Sequence, residues 1–557
     1  MLNKLFKNHL FSAQPGINSR LCFLLISLFH FFITTYTDTL IFGSVDFISY
    51  PIYIVVKVIV FLLLVLFWQL VPILYYLVKN KNTEVICFLK HFGVYFLIML
   101  IFLLLTWPGV WRWDELYIAE AAGILSLNHW HHWLTSLFYI VSFSIIPFPA
   151  GVVFFQILVI SLLIGWVSYL TFKIFQPKFQ WVLLIPMLFP SVIDNNLYPM
   201  RICLYAFIEF MLLSAVILKY ETKKEIAKSD IVLWGVLTAV TATWRTESFF
   251  FIIAAPLVLF IFLRKRLNII KAVCYLLIAG TLAAGITGIQ KAGESNSVSE
   301  DYSLTAILSP LSAIIKTDFK SNDPDGDLEI INKVISVESL LEDDGIAVYW
   351  TEGTKSYTKD DSDKLMKVYF KLVINNFPVY LENQWQLFSQ ASGLVRDTSN
   401  CIGNSAYLFS LTDQEIYNEF RGNYIFNQPV NEKLRQNVIS MLECRSYLSY
   451  ETTSVFYPIF YNVLPPVVIL LFITIYGFFR KRRIYSVMSF LVLIQTGLIF
   501  ATAPSALFMY YFPTYICGYG LGILFYLSLR HKEGGKNEEN YPADAAILSD
   551  IGTGVDN

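Results

Sequence analysis

The segment Trp111-Arg112-Trp113-Asp114-Glu115 sets two carboxylates beside an arginine, shortly after Pro108-Gly109. A Pro-Gly pair ends whatever helix precedes it. Asp114 and Glu115 then fall in the first turn of a new amphipathic helix, predicted to run toward Leu127. Carboxylates in a first turn are stabilised by free N–H groups and the helix dipole, so they stay ionised. An ionised, oriented carboxylate can take the proton from a sugar hydroxyl as that hydroxyl attacks. The same two residues would also suit a plain surface helix as its N-terminal caps.

A second cluster follows at once. Residues 128–133 read Asn-His-Trp-His-His-Trp, which puts three of the seven histidines, His129, His131 and His132, within four positions. His129 and His132 can share a helical face, but zinc needs a third ligand and no spacing marks one. Imidazole and indole N–H groups at a membrane interface can donate to a lipid phosphate. The competing reading is an interfacial aromatic belt, which needs no ligand. Two further arginines, Arg201 and Arg245, stand at predicted span ends, with Glu247 two residues after Arg245. An arginine near hydrocarbon is costly unless it is paired or functional, and its planar fork suits a phosphate. Arg245 would otherwise pair with Glu247, and Arg201 would snorkel to the interface. Asp38, Lys57 and Glu209 lie within apolar runs. Asp38 and Lys57 read as neighbours across the first hairpin, whereas Glu209 has no obvious partner. The run Asp323-Pro324-Asp325-Gly326-Asp327 misplaces its glycine for a calcium loop and reads as a helix-capping turn. No phosphate-binding glycine loop, dinucleotide fingerprint or nucleophile elbow stands in a supporting context.

The elements that hold these residues follow from composition. The chain has 557 residues, 56% of them hydrophobic and 15% charged, with an aromatic share of 17%. Soluble domains carry about 25% charged residues. A soluble enzyme, a disordered chain and a disulfide-dense secreted domain are all excluded. The apolar runs last about 17–25 residues, so they read as membrane helices rather than barrel strands. Runs over 21–43, 52–78, 92–106, 151–175, 181–197, 202–218, 231–243, 248–263, 269–289, 456–479, 484–502 and 506–529 give about twelve spans, the first uncleaved. Residues 134–147 are too few to cross and read as a surface-lying or re-entrant piece.

The net charge of -1 hides an asymmetry, because 291–451 holds 14 basic and 24 acidic residues. Basic residues otherwise gather at alternate span ends: Lys79 and Lys81, Lys173 and Lys178, Lys219 to Lys228, Arg264 to Arg266, Arg480 to Arg483, and Arg530. By the positive-inside rule these ends are cytoplasmic, as are both termini. Asp114, Arg201, Arg245 and the acidic block then face outward. The expected fold is an all-α polytopic membrane protein, with a mainly helical extracytoplasmic domain between spans 9 and 10. Its parts are a transmembrane module over 1–289 with the outer-loop motif at 107–133, the outer domain over 290–453, C-terminal membrane helices over 454–530, and a disordered cytoplasmic tail over 531–557. Cys401 and Cys444 lie in the outer block, where two lone cysteines leave pairing open. Nothing resembles a nucleic-acid-binding face.

An outer loop opening with Pro-Gly and Trp-Asp-Glu, then a helix, a Trp/His cluster and Arg245-x-Glu247 near a later span end, resembles the bacterial GT-C glycosyltransferases. It is most similar to their branch in Gram-positive surface-polysaccharide loci. The motif likeness covers roughly 90–290, and the layout likeness the whole chain. The resemblance implies a plasma-membrane enzyme that moves a sugar from a polyprenyl-phosphate donor to a cell-surface glycan or lipid-linked acceptor. Asp114 would be the general base or position the acceptor, with Glu115 second. Arg112, His129, His131, His132, Arg201, Arg245 and Glu247 would serve the substrate and its phosphate. A lipid phosphate is already a fair leaving group, so no cofactor is expected and a divalent metal is optional. The chain departs from the family in placing its large outer domain between spans. The rival readings are a polysaccharide polymerase or ligase relying on Arg396, Arg421 or Arg435, and a lipid-linked glycan flippase.

Overall fold

The computed structural model describes residues 17–43, 49–111, 113–127, 131–294, 302–342, 355–394, 429–445, 454–504 and 506–534. All extended regular structure among them is helical. The N-terminal part runs α1 (Ile17–Thr37), α2 (Tyr50–Lys79), α3 (Thr83–Leu105), α4 (Trp113–Gly123), α5 (Trp133–Ile145), α6 (Pro149–Phe175), α7 (Pro190–Leu197), α8 (Arg201–Thr222), α9 (Lys228–Trp244), α10 (Phe251–Leu263) and α11 (Ile269–Glu294). The acidic block holds α12 (Tyr302–Ile315), α13 (Pro324–Val334), α14 (Val337–Glu342), α15 (Lys359–Asn375), α16 (Phe377–Ala391) and α17 (Glu432–Leu442). The chain returns through α18 (Leu464–Phe479), α19 (Arg483–Thr502) and α20 (Phe512–Gly534).

Among the described residues ten helices are long and apolar enough to cross a membrane. They are α1, α2, α3, α6, α8, α10 with the turn before it, α11, α18 with the turn before it, α19, and α20 with the turn before it. Two stretches read as spans are not among these ten. Over 181–197 only Leu184–Met187 and α7 are helical. Pro186 and Pro190 lack the N–H that a continuous helix needs. Backbone this irregular survives at membrane depth only inside protein, and here side chains satisfy it. Gln156 donates to the Asn196 and Tyr198 carbonyls, and the Tyr95 hydroxyl donates to the Met187 carbonyl. The second stretch, 231–243, lies in the 17-residue α9. At 1.5 Å per residue it is about 25 Å long, at the short limit for a span, and it runs from Asp230, paired with Lys219 at the basic end, to Trp244, bonded to Thr135 at the other. The 13-residue α5 is too short to span and is largely buried.

The basic turns meet at one end of the bundle. Lys219 pairs with Asp230 at 2.6 Å, and Arg266 donates to the Lys219 and Lys224 carbonyls. Arg482 pairs with Glu221 at 3.0 Å and donates to the Ser528 carbonyl. Lys173 pairs with Glu84 across α3 and α6. In the first hairpin Lys57 reaches Asp38 at 2.9 Å, and Tyr53 donates to the same carboxylate, so these two intramembrane charges neutralise each other.

The acidic block is built in two ways. Leu308, Leu311, Ile331, Leu365 and Leu372, from α12, α13 and α15, belong to a core separate from that of the bundle. Residues 327–341 form two helical pieces, within α13 and α14, with Ile335 extended between them. Asp323 caps α13 by accepting from the Gly326 N–H, as the capping-turn reading requires. Phe388 and Ala391 of α16, and Ile439 and Leu442 of α17, instead pack into the membrane bundle's own core. At the C-terminus α20 continues to Gly534, so the first residues of the expected tail are helical and the rest lie outside the described residues.

Candidate functional site

At the bundle end opposite the basic turns, several segments converge on the loop after α3. The loop is held from both sides. The Val110 N–H donates to the Leu197 carbonyl at 2.9 Å, and buried Trp111 donates to the Pro108 carbonyl. Gly109 has φ +105°, and a Cβ there would lie 2.7 Å from the Val153 side chain and 3.1 Å from the Leu197 carbonyl. Only glycine fits this close approach in the left-handed region.

This loop delivers Asp114 and Glu115 into the first turn of α4. The helix ends at Gly123 rather than near Leu127. Asp114 is partly exposed, whereas Glu115 is buried. Both carboxylates lie within electrostatic reach of the Tyr139 hydroxyl on α5, as does the Cys203 thiol in the first turn of α8. Tyr139 itself donates to the Pro199 carbonyl at 3.0 Å. It is thus close both to the carboxylates and to the start of α8.

Arg201 is the first residue of α8, whose first turn carries no acidic side chain. A cation is disfavoured at a helix N-terminus, where the dipole already presents positive charge. Nearby groups offset this. Arg201 lies within reach of Glu247 and of His131. Glu247 in turn holds Arg245 through two bonds, at 2.5 and 3.1 Å, so the expected structural pair is present. His131 is buried, and both that burial and the Arg201 charge hold its ring well below the usual imidazole range. The ring is therefore neutral at neutral pH.

His132 has a different job. It is the N-cap of α5, with φ +71° and ring Nδ1 accepting from the Leu134 N–H. Trp133 then pins the helix to the end of α11 by donating to the Ile286 and Gln290 oxygens. Trp244 donates to Thr135, and Thr135 to the His131 carbonyl, tying α9 to the same turn. Arg112 and His129 lie outside the described residues, as do Arg396, Arg421 and Cys401. Cys444 is buried.

Asp114, Glu115, His131, Arg201, Arg245 and Glu247 thus gather at one end of the bundle. Sequence reasoning missed Tyr139, Cys203 and the polar cluster below them. Tyr205 and Glu209 lie one and two turns beyond Arg201 on the same face of α8. Tyr205 donates to Ser248, Gln495 donates to both, and the Cys517 thiol lies 3.9 Å from a Glu209 oxygen. The four-residue spacing of Arg201, Tyr205 and Glu209 was the visible signal.

Arg435 is the other surprise. Named among the arginines on which the rival polymerase or ligase would rely, it is fully buried. It donates to the Thr106 carbonyl at 3.3 Å and to the Gly109 carbonyl at 3.1 Å. It is a clamp on the loop that carries Asp114. Among the described residues no three His, Cys, Asp or Glu side chains are grouped to hold a metal ion.

Fold and site together define a multi-pass helical membrane protein with a charged, aromatic-walled site at one end of its bundle. No protein-family profile, curated protein or solved structure matches the chain.

Proposed function

We propose that the chain is a GT-C-type membrane glycosyltransferase acting on the outer face of a bacterial plasma membrane. In this reading the basic end of the bundle is cytoplasmic. The donor is a polyprenyl-phosphate sugar, and the acceptor is a cell-surface glycan or a lipid-linked glycan. The observation that carries the reading is the meeting of a partly exposed, first-turn carboxylate with an arginine-bearing helix N-terminus beside Tyr139.

The mechanism follows from those positions. The N-terminus of α8 and Arg201 favour an anion, and a phosphate suits both. Neutral His131 lies beside Arg201 and adds no charge of its own. Arg245, fixed by Glu247, adds positive charge that is already oriented. As the sugar–phosphate bond breaks, these groups stabilise the charge that develops on the leaving phosphate. Asp114 orients the acceptor hydroxyl and takes its proton as the oxygen attacks the anomeric carbon, with inversion. Glu115, buried behind it, supports the placement of that turn.

The commitment of Arg435 to two backbone carbonyls counts against the polymerase or ligase reading. The test compares cell-surface glycan composition in a deletion strain and in strains complemented with wild type or Asp114→Asn at matched protein levels. Loss of a branch sugar that Asp114→Asn fails to restore supports the transferase. Full restoration by Asp114→Asn overturns the catalytic assignment. Shortened chains would indicate a polymerase, and an accumulated lipid-linked precursor a flippase.

A further inference from the structure

Helix α16 lies in the acidic block, yet it exposes a run of large apolar side chains. Phe377, Leu381 and Trp385 are 53%, 44% and 54% exposed. Successive residues step about 100° around a helix axis, so these three form one stripe about 80° wide. Phe370 and Ile374, near the end of α15, are exposed as well, and the patch runs across the turn that joins the two helices. A soluble surface scatters such residues singly, and a contiguous patch marks a binding face.

The borders of the stripe tell which way it points. Gln384 lies along one side of it, and Phe388 falls in line with it one turn further on. Gln384 and Tyr380 both donate to the carbonyl of Ala501, in the last turn of the membrane helix α19. The Phe388 ring meets Phe500 of α19 and Tyr511 just before α20, with centroids 5.9 and 5.2 Å away. Exposed Glu382 and Gln386 lie along the other side. Asn383, further round, bonds Ser309 of the block's own core helix α12. The apolar stripe is therefore on the side of α16 that meets the membrane end of α19, and the polar residues are on the side away from it. On α10, which packs against α19, and in the turn before it, Phe249, Ile253 and Leu257 are exposed. Lys367 is also exposed, in line with Phe370 and Ile374 at helical spacing, which adds a cation at the edge of the patch.

We infer that α16 lies flat on the bilayer surface, with Phe377, Leu381 and Trp385 sunk into the boundary between lipid headgroups and acyl chains. An apolar stripe, a polar opposite face and a tryptophan between them are what an interfacial helix requires. Lipid is the occupant because the patch continues the lipid-facing surface of the spanning helices to which α16 is bonded. The helix thereby fixes the height of the acidic block above the membrane. This inference does not depend on the proposed enzymatic activity.

The test uses the full chain in phosphatidylcholine vesicles, comparing wild type with Trp385→Phe. Subtracting the two emission spectra isolates Trp385 from the other tryptophans, and phenylalanine keeps an aromatic ring in place so that the fold is retained. Matched thermal melts of the two proteins check this. Vesicles then carry bromine either near the top of the acyl chain or near its end, or aqueous iodide is added. The Trp385 signal should lose most of its intensity with shallow bromine, less with deep bromine, and little with iodide. Quenching by iodide but not by bromine would overturn the inference by placing Trp385 in water. Quenching by neither would also overturn it, since the patch would then be covered by protein, either residues 395–428 or a second copy.

Discussion

Asp114 and Glu115 are adjacent, but their surroundings divide them. The first is partly exposed and the second buried, so substitution should separate chemistry from folding. Asp114→Asn should cut sugar transfer in membrane vesicles by about 10²–10⁴-fold, the usual worth of a general base, with the melting temperature unchanged. His131 supplies a prediction of a different kind. The folded state keeps its ring neutral, while the unfolded chain takes up a proton below about pH 6.5. Stability therefore falls as pH drops through that value and is unaffected above it. Thermal melts in detergent at pH 8 and pH 5 should show this loss for wild type and a smaller one for His131→Gln. An equal loss in both would remove His131 as its source. At this scale the sequence disclosed the carboxylates in a first helical turn and the Arg245–Glu247 pair, since both depend on residues a few positions apart. It did not disclose that His132 is a cap, because that depends on a backbone angle set by the docking of Trp133 on α11.

The loop and short helices between α3 and α6 are where local geometry decides whether the site exists. Gly109→Ala would force a side chain into the left-handed region and against Val153. A loss of roughly 1–3 kcal/mol is expected from such strain, read as a lower melting temperature and faster cleavage near residue 110 in limited proteolysis. His132→Asn should keep the cap of α5. His132→Val should lose about 1 kcal/mol with it, and the same melts distinguish the two. Elements were legible where periodicity is long and uninterrupted, as in α2, α6 and α8. Hydropathy over 181–197 resembled a span, although Pro186 and Pro190 were already in view. What periodicity cannot show is that Gln156 and Tyr95, from two other helices, make a broken path tolerable by bonding its carbonyls.

Across the whole molecule, charge separates the two ends of the bundle, and the basic ends predicted from alternate loops do come together. The structure of the acidic block was less legible, because its pairing with the bundle rests on contacts hundreds of residues apart. Arg435 is the clearest case. Its bonds to Thr106 and Gly109 cross 329 and 326 positions of sequence. Arg435→Met should free two carbonyls of the loop after α3 at a loss of roughly 3 kcal/mol, from two bonds to a charged donor. It should also lower transfer activity more than the melting temperature alone explains, because Asp114 hangs from that loop. Activity that follows stability in strict proportion would contradict the coupling. The clamp also has a consequence in time. A ribosome adding about 5–20 residues per second needs roughly 16–65 s to go from Gly109 to Arg435. Once Thr222 has been added, the nascent chain carries both carboxylates and the arginine-bearing helix, but the loop that aims them still lacks its last fastening. A chain terminated before Arg435 therefore carries the loop and both carboxylates without that fastening.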